Sequence, residues 1–237
     1  MRVNNGFSLV ELAVVIVVIG LLVAGATLGS GLMRQAELRA VLAESEKYSI
    51  AVEHFAQLYG KLPGDLPNAT GSNNFFDGNT TNGDGNGQID SATPSGTEET
   101  FAAWDQLVLA RYITGSYTGA ADSSSATIGT NVPASSNIAG AGFSLAWIAQ
   151  PGEGAQDALG RYYAGNYLIL ASDDDAGTVL TGGAIPPDDA FFIDDKADNA
   201  KANSGRILGG GASCFTGADY EFSSAGNICH LYFNIKN

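Results

Sequence analysis

Across residues 7–33 the chain carries one charged side chain, Glu11, and the next is Arg34. A run of about 25 apolar residues, mostly Leu, Val and Ile, is long enough to cross a hydrocarbon core about 30 Å thick as a helix. Nothing stops the helix at the polar boundary. Residues 34–59 contain no Gly or Pro, and Leu38, Val41, Leu42, Tyr48, Val52, Phe55 and Tyr59 recur at helical spacing. Glu37, Arg39, Glu44, Glu46, Lys47 and Glu53 fall mostly outside that stripe. The pattern predicts one helix of about 50 residues, about 75 Å long. Its first half, 7–33, is a membrane span. Its second half, 34–60, is amphipathic and packs its stripe on a head domain, 61–237. Gly60 with Pro63 close behind is a stop signal.

The head alternates irregular and regular patterns. Residues 61–100 are rich in Gly, Pro, Asn and Asp and predict one long loop. Phe101, Trp104, Leu107, Val108 and Tyr112 give an apolar face to a second helix, 101–113, with Glu98 and Glu99 at the end where a helix dipole favours acids. Residues 115–142, mostly Gly, Ala, Ser and Thr, predict an exposed loop. Residues 143–148 and 166–171 are strand-like runs bounded by Gly, Pro and Asp. Pro186, Pro187, Asp188 and Asp189 open a short helix through Ala197, and 204–208 and 231–235 are the last two strands. The class is α+β, a long helix on an antiparallel sheet.

Glu11 is the anomaly in the apolar run. A carboxylate within a span costs about 2.5–3.5 kcal/mol on insertion scales, and such residues are functional suspects. Gly6-Phe7-Ser8-Leu9-Val10-Glu11 followed by an apolar helix resembles the class III signal of type IV prepilins and of the pseudopilins of type II secretion. The resemblance implies a leader, 1–6, cut between Gly6 and Phe7 by the prepilin peptidase, and N-methylation at Phe7. It implies that Glu11 faces the terminal amine of a neighbouring subunit, which turns an unpaired buried charge into a paired one. It further implies a pilin architecture with a C-terminal disulfide loop. The subunit is then held single-pass in a bacterial inner membrane, head in the periplasm, before joining a surface or periplasmic filament. Its partners are membrane lipid, other pilin subunits and an inner-membrane assembly platform.

Gly20, Gly25, Gly29 and Gly31 each cost a helix about 1 kcal/mol relative to Ala. They permit close helix–helix approach, as at Gly25 and Gly29. Alternatively, as the resemblance suggests around Gly20, they permit local unwinding in the filament. The leader has one basic residue, Arg2. An ordinary secretory signal peptide is a competing reading, with Ala24-Gly25-Ala26 as its small-residue site and a mature start near Thr27. That reading, of a secreted or membrane-anchored binding protein, leaves Glu11 unexplained.

Net charge is −14, and loss of Arg2 with the leader makes it more negative. No basic patch is visible, so direct nucleic-acid binding is not expected. The two cysteines, Cys214 and Cys229, lie in the exported part and read as one disulfide, with two reduced thiols as the alternative. His54 and His230 have no catalytic motif around them, and no nucleophile elbow, zincin or phosphate-loop pattern occurs. The chain is expected not to be an enzyme.

One stretch points to a ligand. Asn82-Gly83-Asp84-Gly85-Asn86-Gly87-Gln88-Ile89-Asp90 resembles the first nine positions of an EF-hand loop. Side chains of Asn82, Asp84 and Asn86, the Gln88 carbonyl and Asp90 would surround Ca²⁺. The twelfth position is Thr93 in place of Glu, and Glu98, Glu99 or Asp77 are candidate substitutes. The competing reading is a metal-free cluster of Asx and Gly turns. Asp194, Asp195 and Asp198 form a second acidic group, read as a solvated helix face ahead of a cation site.

Overall fold

The long pattern closes into a single helix, α1, Leu9–Tyr59, of 51 residues. It is seen in a computed structural model that describes residues 8–71, 75–76, 80–91, 98–118, 125–148, 164–174 and 177–235. Ser8 starts it with a capping box. Its Oγ accepts from the Glu11 backbone N–H at 3.2 Å, and Glu11 Oε2 accepts from the Ser8 N–H at 2.8 Å. Gly60, with φ 73°, closes the other end. The helix runs unbroken through Gly20, Gly25, Gly29 and Gly31, each facing open space.

The two halves of α1 differ as the pattern requires. None of its most apolar 18-residue window is buried. The stripe Leu38, Val41, Tyr48, Ala51, Val52 and Phe55 is buried, and Leu42 and Tyr59 are partly so. Tyr48 is the pivot of that contact. Its ring meets Trp104 edge-on at 5.1 Å and Phe143 at 5.2 Å, which joins α1 to α2 and to the sheet.

The second helix, α2, is Glu99–Leu109, two residues earlier at its start than the pattern predicts. It ends early because Ala110 caps it and Arg111 turns to φ 63°. Every residue from Glu99 to Leu107 is buried, so α2 has no solvated face. Its Gln106 side chain is bonded inward, whereas Thr100 Oγ1, Trp104 Nε1 and Asp105 Oδ2 are buried with no hydrogen-bond partner among the described residues. Gln106 Oε1 accepts from the Gly64 N–H at 2.7 Å, and its amide nitrogen donates to the Thr81 carbonyl at 3.0 Å.

Four antiparallel strands form the main sheet in the order β1-β2-β6-β3: β1 Ala141–Ile148, β2 Gly165–Ser172, β3 Ile207–Gly210 and β6 His230–Asn234. β1 and β2 pair along their whole length, Ala141 opposite Ser172 to Ile148 opposite Gly165. Six consecutive residues of β2 are buried, so both faces of the sheet are covered there. A small hairpin, β4 Phe215–Thr216 and β5 Asp219–Tyr220, lies between β3 and β6. The fold is α+β and pilin-like: a long helix on an antiparallel sheet, with a disulfide near the C-terminus. Cys214 and Cys229 are bonded with Cα atoms 5.1 Å apart, and both are fully buried.

The third helix, α3, spans Pro187–Ala197, with Pro in its first turn beside Asp188 and Asp189. Asp189 binds Arg34 of α1 through both Nε, at 3.0 Å, and Nη2, and Arg34 also reaches Glu37 at 2.9 Å.

Two predictions need correction. The third strand begins at Ile207, not Ser204, because 204–206 bend; there Asp198 accepts the Arg206 and Ile207 N–H groups. The stretch 115–142 is not an exposed loop where it is described. Ala126, Asn131, Val132, Ile138 and Ala141 are buried. Glu44 of α1 hooks it by accepting from Ser135 Oγ at 3.0 Å, the Ser136 N–H at 3.1 Å and the Asn137 amide at 3.1 Å. Small apolar side chains gave a weak pattern but fill the space under a tightly fitted segment.

Candidate functional site

Two places on the molecule carry chemistry. The first is the start of α1. Gly6 and Phe7 lie outside the described residues. Glu11 sits in the first turn, exposed, with its carboxylate on the Ser8 N–H. Within one chain, then, Glu11 is an N-terminal cap, while the surface around it, Leu9, Val10, Leu12, Val14 and Val15, is bare apolar side chain.

The second place is where the segment after α1, the Asn/Asp/Gly loop and the start of α2 converge. Asp65, Asp84 and Glu99 each bring a carboxylate oxygen within 4.8 Å of the others. Two glycines make that approach possible. A Cβ on Gly83 would run into the backbone of Gly64 and Asp65, and one on Gly64 into the Glu99 carbonyl; Gly64 also holds φ 87°. Glu99 uses both oxygens on the loop: Oε1 accepts from the Asp84 N–H at 2.8 Å and Oε2 from the Asp90 N–H at 3.0 Å. Asp65 Oδ2 accepts from the Gly87 N–H at 3.0 Å. Its other oxygen, Oδ1, is buried and has no hydrogen-bond partner among the described residues. Burial pushes Glu99 up to about 7, against the pull of the two backbone donors, with Asp65 and Asp84 adding repulsion. Burial likewise raises Asp65, against the Gly87 and Gly85 amides and the Lys61 charge.

The loop residues named from sequence divide. Asp84, Asn86 and Asp90 stay together: the Asn86 amide donates to Asp84 Oδ2 at 3.1 Å and to Asp90 Oδ2 at 2.8 Å. Gln88 places its N–H on Asn86 Oδ1 at 2.7 Å. Asn82 does not join them. Its Oδ1 accepts from the Thr70 N–H at 2.8 Å and its Nδ2 donates to the Thr70 carbonyl at 3.3 Å, so the side chain ties the loop to its own entry. Thr93 and Asp77 lie outside the described residues, and of the proposed substitutes it is Glu99 that arrives. In the sequence Asp65 reads only as part of a helix stop. No local spacing links it to Asp84 or Glu99.

The second acidic group is not a solvated helix face at Asp194. That residue is fully buried, accepts from the Tyr220 hydroxyl at 3.0 Å and from the Ala200 N–H at 3.0 Å, and is raised by burial to about 6. Asp195 pairs with Lys196 at 2.7 Å. The histidines lie apart: His54 is exposed on α1, and His230 is buried with Nε2 3.0 Å from the Tyr232 hydroxyl.

Residues 1–27 match the family model of the prokaryotic N-terminal methylation motif. No curated protein and no solved structure matches the chain. The chain therefore carries a type IV pilin-like class III signal ahead of an apolar, membrane-anchoring helix. The motif supports a pilin- or pseudopilin-like precursor, and the match does not extend into the α+β head.

Proposed function

We propose that this chain is a structural subunit of a type IV pilus or pilus-like filament, and that it catalyses no reaction. It is made as a prepilin, cleaved after Gly6, methylated at Phe7 and polymerised through α1. The head stays outside the inner membrane and forms the filament surface. One observation carries the reading: a methylation motif over residues 1–27 leads into a helix half whose most apolar window is unburied among the described residues. Such a surface is covered by lipid or by other copies of the same helix. Small residues at Gly25 and Gly29 suit the second arrangement.

Mass spectrometry of the chain recovered from membranes and from sheared surface material tests this. The expected mature chain begins at Phe7 with a methylated amine and occurs in both fractions. A chain that keeps residues 1–6, or one that begins near Thr27, overturns it.

A further inference from the structure

We propose that Asp65, Asp84 and Glu99 form a Ca²⁺ site that staples the segment after α1 to the start of α2, with Asp90 and Asn86 at its mouth. The site is independent of filament assembly, because all its donors lie in one chain.

The first ground is the converging geometry. Three carboxylates from three separate segments meet within 4.8 Å, and Asp65 and Glu99 among them are essentially inaccessible to water. Like charges gathered and desolvated at such range repel, and a bound cation relieves that repulsion, as a shared proton does in its absence. The second ground is Asp65 Oδ1. It is buried, unpartnered among the described residues, and belongs to the group that faces Asp84 and Glu99. A buried carboxylate oxygen without a donor is costly, and a cation satisfies it.

No described lysine or arginine bonds that oxygen. Lys61, the lysine whose charge Asp65 feels, donates its ammonium to the Gly85 carbonyl. The donor set then chooses the ion. Every candidate ligand atom is a carboxylate or amide oxygen, which selects hard cations over zinc or copper. Both cysteines are already joined to each other. Irregular oxygen cages with several carboxylates suit Ca²⁺ better than Mg²⁺, which demands near-ideal octahedral geometry. This donor set differs from a plain EF-hand reading of the loop, since Asn82 is replaced by Asp65 and the twelfth position by Glu99.

The full-length chain in detergent micelles, stripped with EGTA, is titrated calorimetrically with CaCl₂ and, separately, MgCl₂. Its thermal unfolding is followed with and without each ion. The expected result is saturable uptake of one Ca²⁺ per chain, a higher Tm with Ca²⁺, and binding of Mg²⁺ about tenfold weaker or less. Asp84→Asn, at an exposed position, is expected to fold and to lose about tenfold or more in Ca²⁺ affinity. Asp65→Asn is expected to raise the Tm of the metal-free chain, by removing a buried charge, and to abolish the Ca²⁺ increment. Absence of saturable uptake up to about 10 mM Ca²⁺, a concentration above the range of weak extracellular sites, overturns the proposal. So does unchanged affinity in Asp84→Asn.

Discussion

Glu11 has two candidate duties, and two substitutions separate them. Its backbone and carboxylate complete a capping box with Ser8 in the single chain. In a filament the same carboxylate would pair with a neighbour's terminal amine. Glu11→Gln keeps the box, because Gln serves at that position as Glu does, and removes only the charge. Glu11→Ala removes both. Ser8 Oγ still caps the residue-11 N–H, so losing the carboxylate half of the box costs less than the about 1 kcal/mol of a whole N-cap. Removing one partner of a buried ion pair costs about 3–5 kcal/mol, because the other charge is left stranded. Three kcal/mol is roughly a hundredfold in an assembly equilibrium. Relief of the carboxylate's cost in lipid, about 2.5–3.5 kcal/mol, favours insertion of either variant. Both are therefore expected to reach the membrane at least as well as the parent chain. Both are expected to enter filaments at least about tenfold less, a conservative floor under that hundredfold. The assay is the ratio of sheared surface material to membrane-bound chain by immunoblot. If Glu11→Gln assembles normally and only Glu11→Ala fails, Glu11 is a cap and the pairing argument is wrong.

Two further predictions concern the head. Asp194 has an ordinary value of 3.8 and is raised to about 6 in the fold, facing the Tyr220 hydroxyl and the Asp198 carboxylate. The folded state therefore binds the extra proton, and stability falls as pH rises through that window, by about 3 kcal/mol in all. Asp194→Asn should match the parent near pH 4 and exceed it at pH 8, by about 6–12 °C in Tm for a head of this size; an equal difference at both pH values would contradict the assignment. Replacing both Cys214 and Cys229 by Ser releases a loop closed across a sequence separation of 15 residues, an effect of about 3 kcal/mol. A matching drop in Tm is expected, reproduced by reducing the parent chain, and an unmoved midpoint would remove the disulfide from the stabilising contacts.

What was legible in the sequence was what local period and local chemistry encode. The apolar run and the stripe from Leu38 to Phe55 specify α1, because each turn repeats the same choice of side. Pro187 with its two aspartates marks the start of α3, and an exported pair of cysteines marks the disulfide. The acidic site was half legible. Asp84, Asn86 and Asp90 share a loop with a recognisable rhythm, whereas Asp65 and Glu99 reach it only through tertiary packing. Glu99 also misleads, since an acid at a helix N-terminus needs no further explanation than the dipole. Asp194 is hidden for a similar reason: three aspartates in five positions look solvated, and it is the fold that buries Asp194 under the Tyr220 hydroxyl and the Ala200 N–H.

The geometry of the α1 contact has a mechanical consequence. The second half of the rod is gripped by Leu38 to Phe55, latched midway by Glu44 and pinned at its lower edge by Arg34 on Asp189. A pull along the rod axis loads these attachments side by side, so they yield only together. A sideways tug on the head would instead unfasten them in sequence, beginning at the pin. In the proposed filament, such a subunit would bear tension along the direction in which the fibre is stretched and would be weakest against being prised outward.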